Sequence, residues 1–478
     1  MTFKSFLNFY RPKFATTIVY MLQATEYQVR PYLKWFWRTN DFGKVMYRKT
    51  LVKTRPAKLL LAAISIGMLA QFVVAIHYGI VGYQNRIAAE VILSVGIFLL
   101  APMTWAHLIV VPLEVGRLFI SKPKQKVAVK QSRQTFANTK AIKIAIAGSY
   151  GKTTMKEILL TVLSEGKKVA ATPANKNVAI SHARFANKLK GDEEVLIIEY
   201  GEGAPGDVAK FAKITQPDIG IITGLAPAHL DRYKTLKAAG QDIFSLAKFV
   251  EPKNLYVNGE TDEMKPFIER DMMLFDHNQA LGWKIRDIKV SIDRLSFTMT
   301  KGEDELKLTS HLLGQHQVAP LALAAALGLE LGLSKDQVRA GIAKIMPFEH
   351  RMKPYILSGA WILDDTYNGN IEGMKAGLKL LAELPAKRKI YITPGLVDQG
   401  IEEQRVHEEL GRAIAKANPD KVVLIKHSVT PAIEEGLVNY KGELVIEDQP
   451  LNFYTNLDKF VAAGDLVLMQ NDWTDNYN

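Results

Sequence analysis

Two stretches of this chain leave little choice of environment. Leu59 to Val81 is 23 residues long without Asp, Glu, Lys or Arg, and Val91 to Leu113 is another 23, interrupted only by Pro102 and Pro112. A helix needs roughly 20 predominantly apolar residues to cross the hydrocarbon core of a bilayer. The pair therefore reads as a transmembrane hairpin spanning residues 57–118. The alternative is a buried hairpin of a soluble protein, whose core helices are rarely so long and uncharged. His77 and His107 lie inside the runs, either marking a polar pathway or facing the partner helix or an interface.

Charge gives the hairpin an orientation. The net charge is +12 over 478 residues, yet residues 1–58 hold 12 Lys and Arg against only Glu26 and Asp41. The other 420 residues carry only +2. Beyond the second run come Arg117, Lys122, Lys124, Lys126, Lys130, Arg133, Lys140 and Lys143, with no acid anywhere in 115–147. Basic flanks on both sides put both ends in the cytoplasm and the connector Gly82–Glu90 outside. The expected location is the cell membrane, with two spans and the remaining chain cytoplasmic. The first run starts too far from the N-terminus for a secretory signal peptide. Cations crowded beside an apolar run suit an anionic membrane surface, whereas a nucleic-acid binder would spread them over a folded face.

Residues 1–56 interleave Phe3, Phe6, Phe9, Tyr10, Tyr32, Trp35, Phe36 and Trp37 with basic side chains. Helices lying in the headgroup region are the simplest reading, and a packed helical cap would look similar. Residues 119–135 read as a basic linker. The chain has no cysteine, which excludes disulfides, thiolate zinc sites and a cysteine nucleophile.

From about Phe136 apolar strand-like runs alternate with amphipathic helical stretches. Ile142–Ala147, Val195–Tyr200 and Asp218–Thr223 form one set. Trp361–Leu363, Lys389–Thr393, Lys421–Ile425 and Asp465–Met469 form a second. Such alternation predicts an α/β fold with mostly parallel sheets covered on both faces. The boundary between a domain at 136–350 and another at 351–478 is expected near Arg351.

Between the first strand and its helix stands Gly148-Ser149-Tyr150-Gly151-Lys152-Thr153-Thr154. Glycines let a loop curl so that its amides face an anion, and the following helix N-terminus adds its dipole. Lys152 would reach the β- and γ-phosphates of a nucleotide and Thr153 would hold Mg²⁺. The strict phosphate-loop pattern wants glycine at position 146, where this chain has Ile146. The spacing is the shorter Gly-Ser-x-Gly-Lys-Thr form.

That shorter form resembles the Mur ligase family, and further motifs follow in the family's order. Lys156-Glu157 after the loop looks like the MurF branch, which adds D-alanyl-D-alanine. Asn175-Lys176-Asn177 is similar to the family's Asn-x-Asn segment, and Glu199-Tyr200-Gly201 to its metal-binding strand end. Ala228-His229-Leu230-Asp231 looks like Ala-His-Leu-Glu, and Asp364-Asp365-Thr366-Tyr367-Asn368-Gly369-Asn370 like Asp-Asp-Ser-Tyr-Asn-Ala-Asn. The closing Asn471-Asp472-Trp473 resembles the end of a MurF-like subgroup. Together the motifs run from about residue 140 to the C-terminus.

The resemblance implies a central ATP-binding domain, a C-terminal Rossmann-like domain, and ATP with Mg²⁺ as cofactors. The implied reaction phosphorylates a carboxylate to an acyl phosphate, which an amine then attacks. The implied partners are a muramoyl-peptide wall precursor, UDP-linked or lipid-linked, and D-alanyl-D-alanine or an amino acid. Catalysis would fall to Lys152, His229 and Arg351. ATP would be held by Gly148, Ser149, Tyr150, Gly151, Lys152, Thr153, Thr154, Arg351 and Asp365, the last on the ribose. Thr153, Glu199 and His229 would bind metal, and Asn175, Asn177, Asn368 and Asn370 the substrates.

The chain also departs from the family. Most members place a lysine, often carbamylated, where Gly240 falls here. Gly-x-His-Asn-x-x-Asn reads Gly314-Gln315-His316-Gln317-Val318-Ala319-Pro320, losing both asparagines. Ser181 replaces an expected glycine and Ile371 a proline. The usual front domain that grips UDP is replaced by the basic segment and the two spans. Two other readings therefore stand beside the ligase: a catalytically weakened Mur-like scaffold that recruits wall enzymes, and a ligase of another amino acid to a different acceptor.

Overall fold

The computed structural model describes residues 7–11, 13–25, 27–39, 41–43, 45, 50–173, 177–227, 230–367, 369–396 and 399–471. They divide into two compact units, Met1–Val127 and Ala128–Asn478.

In the first unit two long helices, Arg55–Gln84 and Ala88–Leu108, pair as a hairpin. Thr54 caps the first helix through the Ala57 amide, with Pro56 in its first turn. Close approach is allowed at Gly67, where a Cβ would meet the Trp105 ring, and at Gly82 beside Glu90. Most of the apolar side chains point outward; Ile92 is 72% exposed and Val73 59%. A soluble core hairpin would bury them. The second helix runs on, so the basic stretch read as a linker is helical over Lys122–Asn138. The N-terminal segment forms a packed cap. Phe14, Ile18, Leu22, Tyr32 and Phe36 bury against Leu60, Ile64, Ala106 and Ile109. The Tyr32 hydroxyl donates to Ala106 O at 2.8 Å. Lys13, Arg30, Lys34 and Arg38 stay exposed.

Among the described residues the second unit holds three sheets. The first is fully parallel, in the order β2 (Val169–Ala171), β3 (Val195–Glu199), β1 (Ile142–Ala147), β4 (Ile219–Ile222), β5 (Leu255–Asn258), β6 (Met273–Phe275). Its middle strands are largely apolar because both faces are covered. The helix Lys152–Leu163 packs on one face through Met155, Ile158, Leu159 and Val162. A sheet absent from the sequence reading follows: β7 (Gln279–Ala280), β8 (Trp283–Val290), β9 (Leu295–Lys301) and β10 (Asp304–Ser310), antiparallel and in the order β10-β9-β8-β7. It shares its core with the helix Val318–Glu330.

The third sheet runs β11 (Lys353–Leu357), β12 (Ala360–Asp365), β16 (Asp465–Gln470), β13 (Arg388–Thr393), β14 (Lys421–Ile425), β15 (Glu443–Glu447). Only β11 is antiparallel to its neighbour. The last strand inserts between β12 and β13, which makes a topological switch point. In open α/β sheets, ligands bind at such points, outside the carboxyl ends of the strands.

Candidate active site

The glycine-rich loop leaves the carboxyl end of β1. Gly148 has φ +145°, and a Cβ there would lie 2.3 Å from Thr223 Oγ1. Thr223, just after β4, donates from Oγ1 to Ala147 O and to Tyr150 O, lacing the loop to the neighbouring strand. The Ser149 amide donates to Gly224 O at 2.8 Å. The Tyr150 ring lies against Gly224, where any Cβ would collide with it; burial raises the pKa of its hydroxyl. Gly151, at φ +76°, turns the chain into the helix that starts at Lys152 and carries Thr153 and Thr154 in its first turn.

Three side chains converge on Glu199 at the end of β3. Thr153 Oγ1 donates to Glu199 Oε1 at 3.1 Å and Asn177 Nδ2 to the same oxygen at 3.3 Å. Lys156 Nζ, fully buried, stands 3.1 Å from Glu199 Oε2. That contact falls short of hydrogen-bond alignment, so both atoms are buried without a hydrogen bond. The Glu199 backbone is fixed as well: its amide donates to Thr172 Oγ1, and its carbonyl meets His182 Nε2 at 2.9 Å. Burial lowers the His182 pKa to about 4, so the ring is neutral and donates from Nε2. Lys152 Nζ donates to Gly148 O and pairs with Glu202 Oε2 at 2.7 Å, with both side chains buried.

The C-terminal group sits at the switch point. Asp365 accepts from the Met352 amide at 3.2 Å and from Gln470 Nε2 at 2.8 Å. Burial raises its pKa to about 6. Each carboxylate oxygen thus accepts one hydrogen bond inside the domain. Asn370 caps the helix Ile371–Glu383, its Oδ1 accepting from the Gly373 amide. Arg351 lies 4.8 Å over the Tyr367 ring. Asn471 joins the loops after three strands: its amide donates to Asp365 O, Oδ1 accepts from Gly369 N, and Nδ2 donates to Gly395 O. Sequence reasoning recognised the motif around Asn471 but gave that residue no role. Asn175, His229 and Asn368 lie outside the described residues.

A cleft of about 240 Å³ opens beside Gln315 and His316, lined also by Glu260, His277, Lys379 and Leu380. Lys379, on the helix Ile371–Glu383, donates to Gln315 Oε1 at 2.8 Å across it.

Comparison with known proteins decides the family. A model of the Mur ligase middle domain matches residues 146–328. The chain belongs to the Mur ligase family. Its curated relatives include the UDP-N-acetylmuramoyl-tripeptide–D-alanyl-D-alanine ligase of Escherichia coli, 27% identical over 387 residues, 74% of this chain and 84% of that one. The same-named enzyme of Borreliella burgdorferi is 26% identical, covering 67% of this chain and 68% of its own. Among solved structures, MurF from Acinetobacter baumannii aligns with a TM-score of 0.64 at 20% identity, over 73% of this chain and 77% of that one. MurF from Thermotoga maritima in complex with ADP also gives 0.64, at 22% identity, over 73% and 80%. The structural likenesses establish the fold.

For a Mur ligase, the donor set around Glu199 fits a hard divalent cation. Thr153 supplies a hydroxyl and Glu199 a carboxylate, whose Oε1 lies beside that hydroxyl while Oε2, without a hydrogen bond, faces the Lys156 ammonium. Mg²⁺ is typically held by one or two such protein oxygens plus phosphate and water. Among the described residues no group of three or more His, Asp or Glu is arranged for a metal. Gly240, where the family resemblance leads one to expect a lysine, has no room for a side chain. A Cβ at Gly240 would lie 2.3 and 2.5 Å from the Phe267 ring, which itself stacks on Phe244.

Proposed function

We propose that this Mur ligase joins an amine to a carboxylate of a muramoyl peptide at the expense of ATP, in the manner of the MurF branch that adds D-alanyl-D-alanine. The observation that carries the proposal is the meeting of Lys152, Thr153 and Glu199 at the carboxyl edge of one parallel sheet. The curated relatives bear the name of that reaction.

In this reading the acceptor carboxylate attacks the γ-phosphorus of ATP, the bond to the bridging oxygen breaks, and ADP leaves. The amine nitrogen then attacks the acyl carbon, inorganic phosphate departs and the nitrogen gives up a proton. The protein's part is positioning and charge neutralisation. Lys152 and the amides of the glycine-rich loop bind the phosphates; Thr153 and Glu199 hold Mg²⁺, with His229 a further ligand. Bound Mg²⁺ neutralises phosphate charge and polarises the phosphoryl group. Asn177 orients Glu199. The cleft at Gln315 and His316 suits the base of the nucleotide. Asn370 and Asn471 shape the loops that receive the amine, and Arg351 supplies positive charge from the domain junction.

The weakened-scaffold reading has on its side the closed position at Gly240 and the replacement of two family asparagines by Gln317 and Pro320. Against it stand Lys152, Thr153 and Glu199, all retained and brought together.

The same proposal places the enzyme in the cell membrane through its two apolar helices, with the ligase domains cytoplasmic. The outward-facing apolar surface of the hairpin and its basic flanks support that placement. A lipid-linked acceptor would meet the active site at high effective concentration, and the basic flanks would attract its pyrophosphate. The test compares kcat/KM for lipid-linked and UDP-linked forms of one muramoyl peptide, with D-alanyl-D-alanine and single amino acids as donors. Full-length protein and a chain starting near Gln134 are run side by side. Preference of the full-length protein alone for the lipid form is the expected result. Preference of both for the UDP form would leave the hairpin as an address.

A further inference from the structure

Lys152, the cation expected to meet the terminal phosphates, has an internal partner. Its Nζ stands 2.7 Å from Glu202 Oε2, and both side chains are buried. Glu202 lies in the segment after β3, three residues beyond Glu199, and the proposed reaction gives it no part. The carboxylate of Glu199 is meanwhile taken up by Thr153, Asn177 and Lys156. Among the described residues the site thus holds the buried pair of Lys152 with Glu202, and Lys156 buried between Glu199 and Glu157.

We propose that Glu202 is an internal competitor of the nucleotide's terminal phosphate: its carboxylate occupies the Lys152 ammonium, and a polyphosphate must displace it to bind. The inference rests on reading the glycine-rich loop as the ATP site. A carboxylate oxygen and a phosphate oxygen carry like charge and seek the same direction at one ammonium. Within a few ångströms in a poorly solvated site they repel. A ligand whose binding-competent state is only partly populated shows an affinity reduced by that fraction. Mg²⁺ cancels part of the phosphate charge, so the cost of approaching Glu202 falls most heavily on metal-free ATP. Glu202 therefore makes the loop selective for the metal-bound nucleotide. The pair also has a structural use. A buried ammonium left without its partner is strongly destabilising, so Glu202 steadies the loop whenever no phosphate is there.

The test measures nucleotide binding by titration calorimetry on full-length protein in detergent. Wild type, Glu202→Gln and Lys152→Ala are titrated with ATP in excess Mg²⁺, with ATP in chelator, and with AMP, which lacks the terminal phosphates. Glu202→Gln is expected to tighten metal-free ATP by about tenfold or more, to change Mg·ATP less, and to leave AMP within about twofold. Thermal melting is expected to put Glu202→Gln below wild type without nucleotide, with the gap narrowed by Mg·ATP. Glu202→Asp, which draws the charge back by one methylene, is expected to fall between and serves if the glutamine variant does not fold. The proposal is overturned if both Glu202 variants bind metal-free ATP no more tightly than wild type while Lys152→Ala loses it. If Lys152→Ala binds every nucleotide as wild type does, the ATP reading itself fails.

Discussion

Lys156 and Glu199 meet 3.1 Å apart with both side chains buried, one from the helix after β1 and the other from the end of β3. The ammonium faces one carboxylate oxygen of Glu199 while Thr153 donates to the other. Lys156→Met removes that charge and leaves a buried carboxylate without compensation. Breaking one side of such a pair costs about 3–5 kcal/mol. The expected outcome is a clear drop in melting temperature that Mg·ATP partly restores. A variant melting with wild type would mean the pair is not formed in solution.

Lys152→Ala is expected to lower ATP turnover by about 10²-fold or more, the scale of losing one contact to a transferring group. Far-ultraviolet circular dichroism should be unchanged. Turnover within a factor of two of wild type would remove the glycine-rich loop from the chemistry.

Gly240 is expected to refuse a side chain. Its Cβ position is filled by the Phe267 ring, and overpacking of this kind costs about 1–3 kcal/mol. Gly240→Ala should therefore lower stability in a denaturant titration, and Gly240→Lys should fail to raise activity with or without added bicarbonate. Stimulation by the lysine variant would show that the family's usual metal arrangement is still accessible.

Asp365 gives a stability dependence on pH with a definite sign. Burial raises its pKa in the folded protein to about 6, against an ordinary 3.8, and the Met352 amide, Gln470 and Arg351 offset this only in part, while Asp364 adds to it. The folded state thus favours the protonated acid. Its stability is undiminished at about pH 4 and below, falls as pH rises through 6, and levels off above. The integrated loss is about 3 kcal/mol. Asp365→Asn should flatten this decline and gain stability at pH 7–8. An unchanged slope in the variant would mean that Asp365 is charged in the fold at low pH.

The strands nearest the site were legible because burial on both faces writes them as largely apolar runs, broken in β1 only by Lys143, which pairs with Asp218. Ile142–Ala147 is read with the same bounds in sequence and structure. The order of Lys152, Thr153 and Glu199 was also legible, since loop chemistry needs those residue types at those places. What tertiary adjacency creates was not. Thr223 braces the loop from 73 residues beyond Tyr150, and Glu202 meets Lys152 from 50 residues away, with no spacing rule to announce either. The antiparallel strands β8 to β10 alternate buried apolar side chains with exposed ones such as Lys284, Arg286 and Lys307, a pattern without a motif. The helix Lys122–Asn138 was masked by its charge, although Lys, Gln, Ala and Arg all favour helix.

In the proposed reaction this Mur ligase activates a carboxylate as an acyl phosphate before an amine takes it. The direct measurement uses a muramoyl tripeptide, in both UDP-linked and lipid-linked form, with ¹⁸O in the carboxylate that becomes the amide. Full-length protein is incubated with it, Mg·ATP and D-alanyl-D-alanine. Mass spectrometry then follows the peptide product and the released phosphate. One ¹⁸O is expected in inorganic phosphate for every amide formed from at least one of the two acceptors. Amide formation that leaves the phosphate unlabelled, or no amide from either acceptor, would contradict the proposed reaction.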